Sequence, residues 1–145
     1  MEAIYRRTQV GRVAAVVLAV AAAGTVWWSF RTLHPAGISV ALLVAGLLVQ
    51  FSTLTVTVRD HSLQVSFGPG VIRRHIPLER IRDVRTVRTP WYYGWGIRLT
   101  PSGWLWRVSG LSGVEIRLED GHRFRIGSDE PDKLADVLRR QVRAV

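Results

Sequence analysis

Two apolar runs near the N-terminus constrain this chain more than anything else in it. Between Arg12 and Arg31 lie 18 residues without charge, VAAVVLAVAAAGTVWWSF. As a helix they extend about 27 Å, close to the roughly 30 Å hydrocarbon core of a bilayer. A second uncharged run, GISVALLVAGLLVQF at residues 37–51, follows at once, and Leu33 and Leu54 can lengthen it. From Ala3 to Arg59 there is no Asp or Glu. Neither run has a polar face over most of its length, which argues against core helices of a soluble protein. The expectation is a transmembrane hairpin over residues 13–52, with spans at about 13–30 and 36–52, turning through Arg31-Thr32-Leu33-His34-Pro35. The rival is a cleavable signal ending near Ala21-Ala22-Ala23, and the second run speaks for the hairpin instead.

Positive charge sets the orientation. Arg6, Arg7 and Arg12 precede the first span and Arg59, Arg73 and Arg74 follow the second, while the turn carries only Arg31. A multi-pass protein of the plasma membrane with both termini cytoplasmic is expected. Residues 1–12 then read as a basic cytoplasmic tail. Arg12, Trp27, Trp28 and Arg31 are the expected interface anchors.

From Thr53 the hydrophobic period changes to two. Leu54, Val56 and Val58 alternate with threonines, and Leu63, Val65 and Phe67 alternate with Ser62, Gln64 and Ser66, a hairpin joined at Asp60-His61. Gly68-Pro69-Gly70 turns into a third strand near 71–76, and a fourth runs near 83–88. The every-third spacing of Ile81, Val84 and Val87 calls for a helical turn or bulge at 78–82. Two short strands follow around 97–100 and 104–108, and Asp120-Gly121 marks one more hairpin. Ser128 or Asp129 can cap a closing helix that has Pro131 in its first turn and Leu134, Val137, Leu138, Gln141 and Val142 on one face.

The fold class expected is therefore α+β: a helical hairpin, then an antiparallel β-barrel or sandwich over residues 53–145 ending in an α-helix. That order, with LQVSFGPG, the IPLERI break and the GVEIRLEDGHRFRIGSDEPDKLADVL tail, resembles small bacterial membrane proteins in which two transmembrane helices precede a pleckstrin-homology-like domain. The resemblance implies a binding or scaffold module rather than an enzyme. It does not carry phosphoinositide recognition with it, because the first hairpin loop here is the short acidic pair Asp60-His61.

Charge and chemistry bound the function further. The net charge of +9 lies in the anchor and the first half of the β domain, since residues 108–145 balance. An Arg-rich face beside a membrane favours anionic headgroups by roughly 1 kcal/mol per residue. The chain has no cysteine, so disulfides and thiolate chemistry are excluded. The four histidines, at 34, 61, 75 and 122, show no metal-ligand spacing, and the serines lack a nucleophile context. No catalytic residue, metal or cofactor is expected, and the chain reads as non-enzymatic. Nucleic acid is not expected as a partner, because Arg alternating along strands is the ordinary solvent face of a half-buried sheet.

The least ordinary segment is WYYGWGIRLTPSGWLWRVSG, residues 91–110. Its rings can fill the core of a small barrel, or lie in the headgroup layer, or form a protein-binding patch. The candidate membrane-surface or partner-binding residues are Arg73, Arg74, Arg82, Arg85, Arg88, Trp91, Tyr92, Tyr93, Trp95, Arg98 and Arg107. The partners expected are the bilayer itself, and beyond it anionic lipid, a membrane protein or a second copy of the chain.

Overall fold

The computed structural model describes residues 3–32 and 36–145. The middle of the expected turn, Leu33-His34-Pro35, lies outside the described residues. The architecture is α+β: two N-terminal helices, two β-sheets and a C-terminal helix.

The first strand comes before the helices. Residues 1–12 read as a tail, yet Tyr5–Val10 form strand β1. Helices α1 (Arg12–Thr32) and α2 (Ala36–Phe51) follow, and β2 (Thr53–Arg59) then pairs antiparallel with β1, Val10 opposite Thr53 and Tyr5 opposite Val58. The two helices are thus an insertion between two neighbouring strands of one sheet. Its base is drawn shut by the Gly11 N–H, which donates to the Ser52 carbonyl at 2.6 Å.

Among the described residues only α1 is long and apolar enough by itself to cross a membrane, over Ala15–Thr32. At 16 residues α2 is shorter, about 24 Å. The hydroxyls of Thr25, Ser29 and Thr32 each donate to the carbonyl four residues back, so α1 leaves none of these three groups unpaired. A Cβ on Gly37 would overlap Ser29, which makes this glycine a point of close approach between the helices. Gly46, by contrast, faces open space and plays no such part.

The first sheet has the order β1-β2-β3-β4, with β3 (Ser62–Phe67) and β4 (Ile72–Pro77). Strict alternation in β2 and β3 sends Leu54, Val56, Val58, Leu63, Val65 and Phe67 into the core. The second sheet has the order β5-β8-β9-β7-β6, from β5 (Ile81–Arg88), β6 (Gly96–Thr100), β7 (Gly103–Arg107), β8 (Ser112–Leu118) and β9 (Arg123–Gly127). A 3-10 turn at Leu78–Arg80 and a register shift between Ile81 and Asp83 account for the three-residue spacing in that region.

One pairing departs from the expected antiparallel pattern. Strands β7 and β9 are parallel, Trp104 opposite Phe124 and Trp106 opposite Ile126. With β1 counted, the described residues form nine strands rather than about seven.

Helix α3 (Pro131–Ala144) lies over β5 and β8, burying Leu134, Ala135 and Leu138. The Ser128 hydroxyl accepts from the Glu130 N–H at 3.1 Å, just ahead of the helix. Asp129 instead meets Arg7 of β1 at 2.9 Å. Both sheets and α3 share one continuous core.

Candidate functional site

The register of the strands fixes which end of the β domain adjoins the helices. Strand β1 enters α1 at Gly11, and β2 leaves α2 at Ser52. The β3–β4 turn is at the same end, since the Gly68 N–H donates to the Thr53 carbonyl at 2.9 Å. So is the end of β7, because a Cβ on Gly11 would lie 2.9 Å from the Val108 carbonyl oxygen. The link from β5 to β6 belongs there too: Arg88 pairs with Ser112, Thr89 N–H donates to Leu111, and Gly96 pairs with Arg107.

The aromatic segment therefore sits beside the junction of the β domain with α1 and α2. Trp91–Tyr93 form a single 3-10 turn after Pro90. Trp91 and Tyr92 are 71% and 65% exposed, so neither fills the core. Their rings meet edge-on at 6.2 Å, and Tyr92 meets Tyr93 at 5.0 Å. Trp95 and Arg98 line a cleft together with Leu18 of α1 and Leu47 of α2, which places the segment beside the N-terminal part of α1 and the C-terminal part of α2. Val71, in the β3–β4 turn at the same end, is 78% exposed.

Arg107 holds this platform in place. Its Nε and Nη2 both donate to the Gly94 carbonyl, Nη2 at 2.6 Å, and Nη1 donates to the Thr89 carbonyl at 3.3 Å. The guanidinium also lies 5.8 Å from the centre of the Trp95 ring. The side chain is wholly buried, and burial lowers its pKa from the ordinary arginine value. Arg107 was a candidate surface residue; it is a clamp inside the fold instead.

The other candidate arginines do not form one site. Arg88 is exposed at the helix-adjoining end of β5, whereas Arg82 is six residues away, about 20 Å along the strand. Arg82 meets Glu119 at 3.5 Å and Arg85 meets Asp83 at 2.6 Å, both well solvated pairs of little energetic weight. Arg74 points inward and lies 5.0 Å from the centre of the Phe124 ring. Arg73 turns back so that its Nε donates to the Gly70 carbonyl. Arg98 stays with the platform, its Nε donating to the Trp95 carbonyl at 3.3 Å.

Of the expected anchors, Trp27 and Trp28 are exposed toward the far end of α1, about 22 Å from Arg12 along the axis. The Arg31 guanidinium lies 4.9 Å from the centre of the Trp27 ring. Arg12 is exposed at the other end of the helix. Among the described residues no group of three His, Asp or Glu side chains is placed to hold a metal ion. Comparisons with protein-family models, curated proteins and solved structures return no match.

Proposed function

We propose that this protein is a membrane-anchored, pleckstrin-homology-like binding module that acts as a scaffold at the cytoplasmic face, without catalysis. The observation that carries this reading is the clustering of exposed Trp91, Tyr92 and Val71 at the end of the β domain from which the apolar helices emerge. Large apolar side chains left in water cost free energy, whereas Trp and Tyr at a bilayer interface gain it. With α1 and α2 in the bilayer as a hairpin, the domain is tied to the surface by two strands. The aromatic platform, Arg88 and Arg98 then meet the headgroup layer. The bilayer is the first partner, and anionic lipid is favoured at this rim by the two arginines. The faces turned away from the bilayer are left to a membrane protein partner or a second copy. The order of a first sheet, a second sheet and a C-terminal helix supports the pleckstrin-homology-like reading, with β1 and the parallel β7–β9 pair as departures.

The absence of cysteine makes the test clean, because a single introduced thiol is a unique labelling site. In proteoliposomes, a depth-sensitive label at Tyr92→Cys is expected at headgroup depth, and one at Glu119→Cys, in the distal turn, in bulk water. Equal access of aqueous quencher to both positions would sink the platform. A thiol at Val145 is expected to escape impermeant reagent added to intact cells; labelling from outside would reverse the orientation.

A further inference from the structure

The two sheets treat their outward charges differently. The second sheet carries carboxylates among its arginines, and three of those arginines are paired: Arg125 meets Glu115 at 2.7 Å, Arg85 meets Asp83, and Arg82 meets Glu119 in the adjoining turn. The first sheet contains no Asp or Glu in any of its four strands, YRRTQV, TLTVTVR, SLQVSF and IRRHIP. Its outer face carries Arg6, Arg59 and Arg73 among hydroxyl and amide side chains. None of these three arginines makes an ion pair among the described residues. A face that is merely solvated has no need to exclude one sign of charge from four neighbouring strands.

These side chains also enclose a space. A concavity of about 330 Å³ lies on this face, lined by Arg6, Arg59 and Arg73 with Thr57, Gln64 and Ser66. Arg6 is opposite Thr57, Thr57 is opposite Gln64, and Ser66 is opposite Arg73, so the lining crosses all four strands. The backbones of β1 and β4 are three strand spacings apart, about 14 Å, and arginines from both edges border the same concavity. The lining offers guanidinium, hydroxyl and amide donors with no carboxylate to repel an anion, the donor set that suits a multi-oxygen anion.

We infer that the outer face of the first sheet is a binding site for a phosphate group, gripped by Arg6, Arg59 and Arg73. The group can belong to a lipid headgroup or to a soluble phosphorylated compound; the chemistry of the grip is the same. One end of the concavity is the Gly68–Gly70 turn, which adjoins the end of α2 through Gln50, whose Nε2 reaches the Phe67 carbonyl at 3.5 Å. The site is separate from the aromatic platform and stands whether or not that platform touches lipid.

The test uses the full chain in phosphatidylcholine nanodiscs, titrated calorimetrically with inorganic pyrophosphate. Saturable binding is expected, weakened about tenfold or more in R6Q/R73Q, which loses two charge-assisted contacts. R82Q/R85Q, on the opposite sheet, is expected to bind as the parent does. The substituted side chains are solvent-exposed or edge-placed, and matched circular dichroism melts establish that each variant is folded. Repeating the titration with a minor share of phosphatidic acid in the disc separates the sources. Competition by the lipid identifies a headgroup site, and unchanged pyrophosphate affinity identifies a soluble ligand. No binding by the parent, or equal binding by the parent and R6Q/R73Q, overturns the inference.

Discussion

Gln9 and Gly127, 118 positions apart, are joined by a hydrogen bond of 2.8 Å from the Gln9 Nε2 to the Gly127 carbonyl. The bond ties β1, the strand ahead of the two N-terminal helices, to β9 of the second sheet, and it is buried. Gln9→Leu is expected to destabilise the fold by about 1 kcal/mol, since the lost bond is partly offset by removing a buried Oε1 that has no partner. Gly127→Ala should cost more, about 1–3 kcal/mol, because its Cβ would lie 2.6 Å from Arg107 Cγ and 3.2 Å from Arg107 Cα. Urea unfolding in a fixed detergent, followed by near-ultraviolet circular dichroism, checks both.

The insertion of α1 and α2 between β1 and β2 has a consequence for dissecting the protein. A fragment covering residues 53–145 lacks β1, leaving the edge of β2 bare and uncovering Leu54, Val56 and Val58. Such a fragment is expected to aggregate. Because Gly11 and Ser52 are already hydrogen-bonded at 2.6 Å, a short glycine-serine linker in place of residues 12–51 keeps β1 and closes the gap. That second protein is expected to be monomeric by size-exclusion chromatography and to give a dispersed amide spectrum. A well-dispersed spectrum from the 53–145 fragment would mean that β1 contributes little.

Exposure divides the tryptophans into two groups with opposite expected behaviour. Trp106 is buried against Phe67 and Phe124, with ring centres at 5.3 and 5.6 Å. Trp106→Ala should cost about 3–5 kcal/mol. Trp91→Ser with Tyr92→Ser should change stability by no more than about 0.5 kcal/mol, both side chains being mostly in solvent. A collapse of the double variant in the same urea titration would put these rings back into the core.

The strands that were legible in the sequence are those whose alternation is uninterrupted. Leu54–Val58 and Leu63–Phe67 announce one buried face each, and Asp120-Gly121 announces the β8–β9 turn. Strand β1 was not legible, because Arg7 occupies an inward register position opposite Val56, and its partner strand lies beyond two helices. The signal available was faint: Tyr5 and Gln9 share parity, with Thr8 and Val10 as strand-favouring neighbours. In the aromatic segment, parity misleads outright. Trp104 and Trp106 share a face of β7, yet only Trp106 is under the core, while Arg107 on the opposite face is buried by the returning 91–96 loop. The parallel pairing of β7 with β9 depends on contacts that no local pattern encodes.

Tyr5 gives the fold an alkaline limit. Its side chain is buried, its hydroxyl has no hydrogen-bond partner, and burial, with help from the nearby Glu130 carboxylate, raises its pKa above the ordinary tyrosine value. A group whose folded pKa is raised contributes stability that is complete below its unfolded pKa, about 10 for tyrosine, and that contribution disappears as pH climbs through the raised value. Tyr5→Phe removes the ionisable group and the unsatisfied hydroxyl together. At neutral pH the variant is expected to match the parent or exceed it by about 1 kcal/mol. Above pH 10 the gap should widen in favour of the phenylalanine variant, because only the parent must then keep a buried phenol neutral. Thermal melts of both proteins from neutral to strongly alkaline pH provide the comparison; parallel curves throughout would show that the Tyr5 phenol ionises as readily folded as unfolded.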